Sequence, residues 1–356
     1  MPLDRRIQTL FGIDLPIIQA PMAGAQGAAM AVAVSEAGGL GSLPGALLGI
    51  DAMRAELALI RQRTAKPVNL NFFCHRPPAA DAAREAAWRA RLAPYYAELG
   101  IDPAAPVPAS NRTPFDAAFC AVVEAFRPEV VSFHFGLPAA DLMDRVKATG
   151  ARVISSATTV DEARWLEDHG ADAVIAQGHE AGGHRGLFLS EDLANQPGLF
   201  ALLPQVVDAV EVPVIAAGGI ADARGIVAAF ALGASAVQIG TAYLFTPEAT
   251  ITPMHRAALR EAKDDGTALT NLFTGRPARG LVNRLMREVG PLSTDAPAFP
   301  TAGGALLPLK AKAEAAGSAD FSSLWAGQAA SLGREMGAGD LTRTLWSEAL
   351  ERLRAS

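Results

Sequence analysis

The stretch PVIAAGGIADARGIVAAFALGASAVQIGT, residues 213–241, contains one complete repeat of the fold. It opens on an apolar run, 213–220, that ends around a double glycine. An Ala-rich segment with helical periodicity follows over 221–233, and a second apolar run closes the stretch at 236–241. The first run is continuously apolar and the second is apolar over 236–239 but for Gln238, so neither shows a clean alternation. That is the pattern of strands buried on two faces in a parallel sheet. Parallel neighbours need a long crossover, and the intervening helical segment supplies it.

The same unit recurs along the chain. Further apolar runs lie at PIIQAPM (16–22), GLGSLP (39–44), PVNLNFF (67–73), VVSFHF (130–135), RVISSAT (152–158) and AVIAQG (173–178), which makes eight with the two above. Helical patterns separate them, among them DAMRAELALIRQR (51–63) and TVDEARWLEDHG (159–170). Eight strand–helix repeats predict an α/β protein built as a closed (β/α)8 TIM barrel. The competing open, doubly wound sheet would carry G-x-G-x-x-G after its first strand. Gly24 and Gly27 there have the wrong spacing.

Two regions break the repeat. Residues 75–113, rich in Pro, Ala and Arg, read as an inserted helix and a long loop over the barrel mouth. Residues 246–330 follow strand eight with several Pro and Gly breaks and read as an added helical subdomain. The expected division is therefore a barrel over 1–245 with its insertion, a substrate-side subdomain over 246–330, and a C-terminal segment, 331–356, whose amphipathic helix begins near Asp340 and packs on the barrel.

Composition narrows the function. Half of the 356 residues are hydrophobic, enough for a large core, and the net charge is −6 with no basic block, so nucleic acid is not an expected partner. The two cysteines, Cys74 and Cys120, form no C-x-x-C and suit a reducing compartment as small buried hydrophobes. The first residues, MPLDRRIQTLFG, lack the apolar core of a signal peptide, and a cytoplasmic location is expected. Residues 15–35 and 225–245 are uncharged over a membrane span's length, but Gly and polar interruptions read as turns between barrel elements. No membrane partner is expected, and the oligomeric state is read as monomer or homodimer.

Polar residues inside the strands locate the chemistry. In VVSFHF the large apolar Val131, Phe133 and Phe135 should face the outer helices, which sends Ser132 and His134 inward. By the same logic Asn69 and Asn71 face inward from strand three. Gln19, Gln177 and Gln238 sit at similar depth on strands one, six and eight. Inward polar groups at C-terminal strand ends mark the active-site rim of a barrel. Gly218 and Gly219 end strand seven, and Gly240 and Thr241 end strand eight. Loops at those positions commonly bind phosphate through exposed backbone N–H groups.

GHEAGGHRG, residues 178–186, follows strand six. Its His179-Glu180-x-x-x-His184 spacing is one residue too long for a helical zinc pair, and no metal is expected. The glycines suit close backbone approach to a cofactor, with His184 standing over it. Arg185 reads as a surface charge, and His179 has no evident task.

Together QAPMAG, NLNFFCH, SFHFG, GHEAGGHRG, AAGGIAD, ALGASAVQIGT and FSSLWAGQ resemble the FMN-dependent nitronate monooxygenases, over about residues 12–333. E-A-G-G-H is shared with other flavin barrels, such as enoyl and quinone reductases, so an NAD(P)H-dependent flavin oxidoreductase is the alternative. The resemblance implies FMN at the barrel mouth and oxidation of alkyl nitronates, or nitroalkanes, with O2 to carbonyl compounds and nitrite. It places Ala20 and Met22 against the flavin ring and Asn71 and Gln177 at its polar edge. It places Gly182, Gly183, Gly218, Gly219, Gln238, Ile239, Gly240 and Thr241 around the ribityl phosphate. His184 matches the family's active-site histidine and His134 a second pocket histidine. His184 has two possible roles. Protonated, it would hold the anionic nitro group. Neutral, it would deprotonate a nitroalkane. The first is the expectation, because a nitronate needs no proton removed. Some members line the pocket with tyrosines and a lysine from the segment after the barrel. The corresponding stretch here, APAFPTAGGALLPLKAKAEA, has no tyrosine.

Overall fold

All eight strands read from the sequence form, and their side chains sort into an inner and an outer shell. They are β1 (Ile17–Gln19), β2 (Gly41–Pro44), β3 (Val68–Phe73), β4 (Val130–His134), β5 (Arg152–Ala157), β6 (Ala173–Gln177), β8 (Val214–Ala217) and β9 (Ala236–Ile239), with β7 (Gly183–His184) lying outside the barrel. The computed structural model describes residues 4–102, 104, 106 and 112–355. The parallel order is β1-β9-β8-β6-β5-β4-β3-β2, and a parallel bridge between Ile18 and Leu40 closes the ring. Inside lie Ile18, Leu40, Val130, Ile154, Ile175 and Ile215, plugged at the N-terminal end by Ile7 and Phe11 of the helix Arg6–Phe11. Outside, Val131, Phe133, Val68, Leu70 and Phe72 pack on Phe119, Val122 and Val123 of the helix Ala117–Phe126. β2 lies very close to its helix: a side chain at Gly41 would collide with the Ala31 backbone.

Two expectations about facing change. Gln19 shares the outward face of β1 with Ile17, because Ile18 is the inward residue. A strand of three residues with one apolar pair gives no parity by sequence alone. The Gln19 side chain joins a buried network with Gln26 and Ser42. Phe135 leaves the strand with φ +70° and turns its ring to the barrel mouth, 5.9 Å from the His184 ring.

Seven of the outer helices are the crossovers. The eighth position is filled from the end of the chain by the helix Ala338–Ala355, whose Leu341, Leu345 and Trp346 pack with Phe230 of the helix Ala223–Ala231 and Val34 of the helix Ala28–Glu36. Tyr243 Oη, fully buried, meets Thr342 Oγ1 at 2.7 Å and ties this helix to the segment after β9.

The segment after the barrel is not purely helical. It contains β10 (Thr267–Thr270) and β11 (Ala278–Leu281), an antiparallel pair to which β7 adds as the third strand, Ala278 opposite His184. These four-residue strands, TALT and ARGL, are too short and mixed to show a period. The inserted helix, Ala82–Glu98, packs into this subdomain instead of lying free over the mouth. Its Trp88, Leu92, Tyr95 and Tyr96 share one apolar cluster with Leu272, Leu285, Met286 and Leu309. Trp88 Nε1 and Tyr96 Oη donate to the carbonyls of Ala302 and Ala305. The rest of the insertion, at 103, 105 and 107–111, lies outside the described residues.

Candidate active site

The inward residues at the C-terminal strand ends open into one cavity of about 570 Å³ between the barrel mouth and the subdomain. Its wall includes Ala20, Met22, Asn71, His134, Gln177, Gly182, Gly183, His184, Gly218, Gly219, Gln238, Gly240 and Thr241. The structure thus brings together every cofactor and catalytic candidate except Ile239. That side chain packs in the outer shell with Ile17 and Val237, as its parity on β9 dictates. Asn69 faces inward but lies deeper, bonded to Ser42 Oγ at 2.9 Å.

The histidine loop is held by two barrel side chains, Gln177 and His134. Gln177 Nε2 donates to the His184 carbonyl at 2.9 Å while Gln177 Oε1 accepts from Gly186 N–H at 2.8 Å. His134 Nε2 reaches the same carbonyl at 3.1 Å, and Nδ1 lies 3.1 Å from Ser156 Oγ. A carbonyl only accepts, so His134 carries its proton on Nε2 and accepts from Ser156 at Nδ1. Both of its ring nitrogens are therefore committed to the scaffold. Burial pushes its pKa down to about 4, with the Arg276 and Arg185 cations acting in the same direction, which keeps it neutral.

The other charges of GHEAGGHRG are structural. Glu180 accepts from Leu199 N–H at 2.9 Å and supplies a carboxylate at the N-terminus of the helix Leu199–Val207. Arg185 is fully buried, contrary to a surface reading. Its guanidinium donates to the Gln177 and Gly178 carbonyls and to Gln196. The His179 carbonyl accepts from Arg279 Nε at 3.0 Å. Among the described residues no cluster of His, Cys, Asp or Glu could hold a metal ion.

His184 is enclosed by aromatic rings. Phe73, Phe135, Phe299 and Trp325 have centroids 5.8, 5.9, 5.4 and 5.7 Å away. Its pKa is driven well below the usual 6.5 by burial first, then by Arg112, His134, Arg276 and His75. The protonated His184 expected from the sequence is thus disfavoured, and the neutral ring prevails at neutral pH. Sequence reasoning missed the responsible groups. Arg112 lines the cavity from the insertion. The Arg276 guanidinium lies 4.0 Å over the Phe135 ring and donates to the Leu187 carbonyl. Nothing local in the sequence ties either arginine to His184.

Polar atoms in this wall lack protein partners. Gln238 Oε1 is buried without one. Asn71 spends its amide N–H groups on Ser132, at 3.0 Å to Oγ, and its own oxygen has no partner among the described residues. Gly218 and Gly219 hold φ +110° and +69°, and neither donates a backbone hydrogen bond among the described residues. This orphaned set is what a polar, phosphorylated ligand would satisfy.

A sequence profile described as nitronate monooxygenase matches residues 4–348. The chain belongs to the nitronate monooxygenase family. It is similar to nitronate monooxygenases of Pseudomonas aeruginosa, 46% identical over 96% of this chain and 98% of that one, and of Paraburkholderia phytofirmans, 43% identical over 98% and 97%. Among solved structures it is similar to the nitroalkane oxidase of Streptomyces ansochromogenes (41% identical, TM-score 0.89, covering 99% of this chain and 100% of that one). FabK of Thermotoga maritima is also similar (29%, TM-score 0.76, 99% and 98%). This family consists of flavin-dependent oxidoreductases, and the chain is an enzyme of that class. No described helix is long and apolar enough to cross a membrane.

The nitronate monooxygenase fold here carries its own pocket wall after the barrel. Where a tyrosine-bearing segment was absent from the sequence, the cavity is lined by Gly303, Gly304, Leu306, Leu307 and Lys310. The Lys310 ammonium lies 3.8 Å from Glu314. Cys74, beside the mouth, is pushed up by burial and is held as the thiol. Cys74→Ala is accordingly expected to keep flavin binding and kcat/KM within about twofold, a small core change with no chemical role. Steady-state turnover checks this, and loss of turnover with the flavin retained contradicts it.

Proposed function

We propose that this chain binds FMN at the barrel mouth and oxidises alkyl nitronates with O2, giving carbonyl compounds and nitrite. The observation that carries the reading is a single cavity combining neutral His184 with the unpartnered Gln238 Oε1 and the open Gly218–Gly219 backbone. The residues fit the cofactor. Gly218 and Gly219 would hold its phosphate, and Gln238 would accept a hydrogen bond from it. Ala20 and Met22 form an apolar wall for its ring, within 3.5 and 3.7 Å of where a Gly240 side chain would begin. FMN, when bound, supplies the electron acceptor and the site of O2 reduction.

The chain's own residues do the rest. Phe73, Phe299 and Trp325 exclude water around His184. Arg112 and Arg276 place positive potential where an anionic nitro group would enter. His184, neutral, is set to accept a proton from a nitroalkane. His134 and Gln177 hold the His184 backbone in place.

The protein is expected to purify yellow and to release FMN, not FAD, on acid or heat treatment, since the orphaned set is satisfied without a covalent bond. Under anaerobic conditions ethylnitronate should bleach the flavin, and NADPH should not. A colourless protein that ignores added FMN removes the cofactor reading. Rapid bleaching by NADPH with none by nitronate assigns the cavity to a reductase.

A further inference from the structure

A threonine of the subdomain bonds the ring of His184. Thr274 stands in the turn between β10 and β11, far along the chain from β7. Its Oγ1 lies 3.0 Å from His184 Nε2. The same hydroxyl donates to the Arg276 carbonyl at 3.2 Å and accepts from the Arg276 N–H at 3.4 Å. Thr274 is 2% exposed, so no solvent competes for these bonds.

A hydroxyl has one proton and two lone pairs. With its proton on the Arg276 carbonyl, Oγ1 can only accept from His184. That requires hydrogen on Nε2 and leaves Nδ1 bare. Nδ1 has no hydrogen-bond partner among the described residues, and His184 lines the cavity. The reverse arrangement would take the threonine proton away from the carbonyl and leave that half-buried acceptor without this bond, an unfavourable exchange.

We propose that Thr274 is a positioning residue that locks His184 in the Nε2–H tautomer and so presents Nδ1 to the substrate as acceptor and base. The proposal rests on the cavity being the nitronate and nitroalkane site. In the step it serves, the nitroalkane α-C–H bond breaks, its electron pair moves into the nitro group, and the proton forms an N–H bond at Nδ1. The turn between β10 and β11 thereby sets the reactivity of a residue in the loop after β6 through a single side-chain bond. The ring faces His134 from β4, His75 from beyond β3, Arg112 from the insertion and Arg276 from the subdomain, all of which favour the neutral form that a base needs.

The test uses the FMN-loaded full chain with Thr274→Val and Thr274→Ser. Nitrogen-15 NMR of labelled histidine, with the His184 signals assigned by their absence in His184→Asn, should show Nε2 protonated and Nδ1 bare in wild type between pH 6.5 and 8. Thr274→Ser should keep that pattern and Thr274→Val should lose it. At matched FMN content, Thr274→Val should lower kcat/KM for nitroethane at least tenfold and for ethylnitronate less than threefold, and the serine variant should restore both. A wild-type His184 protonated on Nδ1 overturns the proposal, as does an equal fall on both substrates. If wild type oxidises neither substrate, the functional reading fails, while the NMR pattern still decides the tautomer.

Discussion

Gly219→Asp is expected to bind FMN about a thousandfold more weakly while keeping its fold. Gly219 holds φ +69° at the end of β8, on the cavity wall and outside the apolar clusters. A side chain there would begin 3.4 Å from Glu180 Cβ, in ordinary contact, so the backbone has room for it. Aspartate also tolerates the left-handed region better than most residues. Charge is the decisive effect. A carboxylate would stand where the open N–H groups of Gly218 and Gly219 are proposed to receive a phosphate. Two unit charges about 4 Å apart near a protein surface repel by about 4 kcal/mol, and that is about three decades in affinity. The Glu180 carboxylate nearby, fixed on Leu199 N–H, adds to the negative field. Gly219→Ala separates the terms, because it brings the backbone strain without the charge and should cost no more than about tenfold. Fluorescence titration of the apoprotein with FMN measures both variants, and far-UV circular dichroism reports the fold. Unchanged affinity in Gly219→Asp removes the glycine pair from the cofactor site.

The parts of this protein that are legible in its sequence are those set by local periodicity. β8 is a continuous apolar run, and β6 and β9 are apolar but for Gln177 and Gln238, because a parallel barrel strand touches a helix on one side and the interior on the other, and both faces need apolar residues. His134, Gln177 and Gln238 could be sent inward because each follows apolar residues whose parity is fixed. Gln19 could not, since β1 offers only three residues. The subdomain strands β10 and β11 escaped because their partner β7 is two residues inside a glycine loop, and the pairing of Ala278 with His184 is a long-range event. The charge state of His184 was illegible for the same reason. Its own neighbours in sequence, Glu180 and Arg185, turn away into helix capping and carbonyl binding. The groups that set its pKa arrive from the insertion, from β4 and from the turn before β11. Local sequence names the residue; tertiary packing decides its protonation.

His184→Asn tests that decision and should divide the two substrate classes. Nitroethane turnover is expected to fall by about 10²–10⁴-fold, the usual worth of a positioned general base. Ethylnitronate turnover should stay within about tenfold, because its α-proton is already gone and no base is needed. The wild-type pH dependence carries the same signature. The folded pKa of His184 lies well below 6.5, so the neutral base is fully present above that value and is lost only as pH falls through the depressed pKa. On the nitroethane side, kcat/KM should therefore stay level as pH drops to 6.5 and decline only beneath it. A cationic anion-holder predicts the opposite trend, with nitronate oxidation improving as pH falls towards 6. The measurement is kcat/KM for both substrates in wild type and His184→Asn, at matched FMN content, across that range. Equal loss on both substrates would restore the cationic role. Retention of both would exclude His184 from the chemistry, and it would not promote His134, whose two ring nitrogens are already engaged by the His184 carbonyl and Ser156.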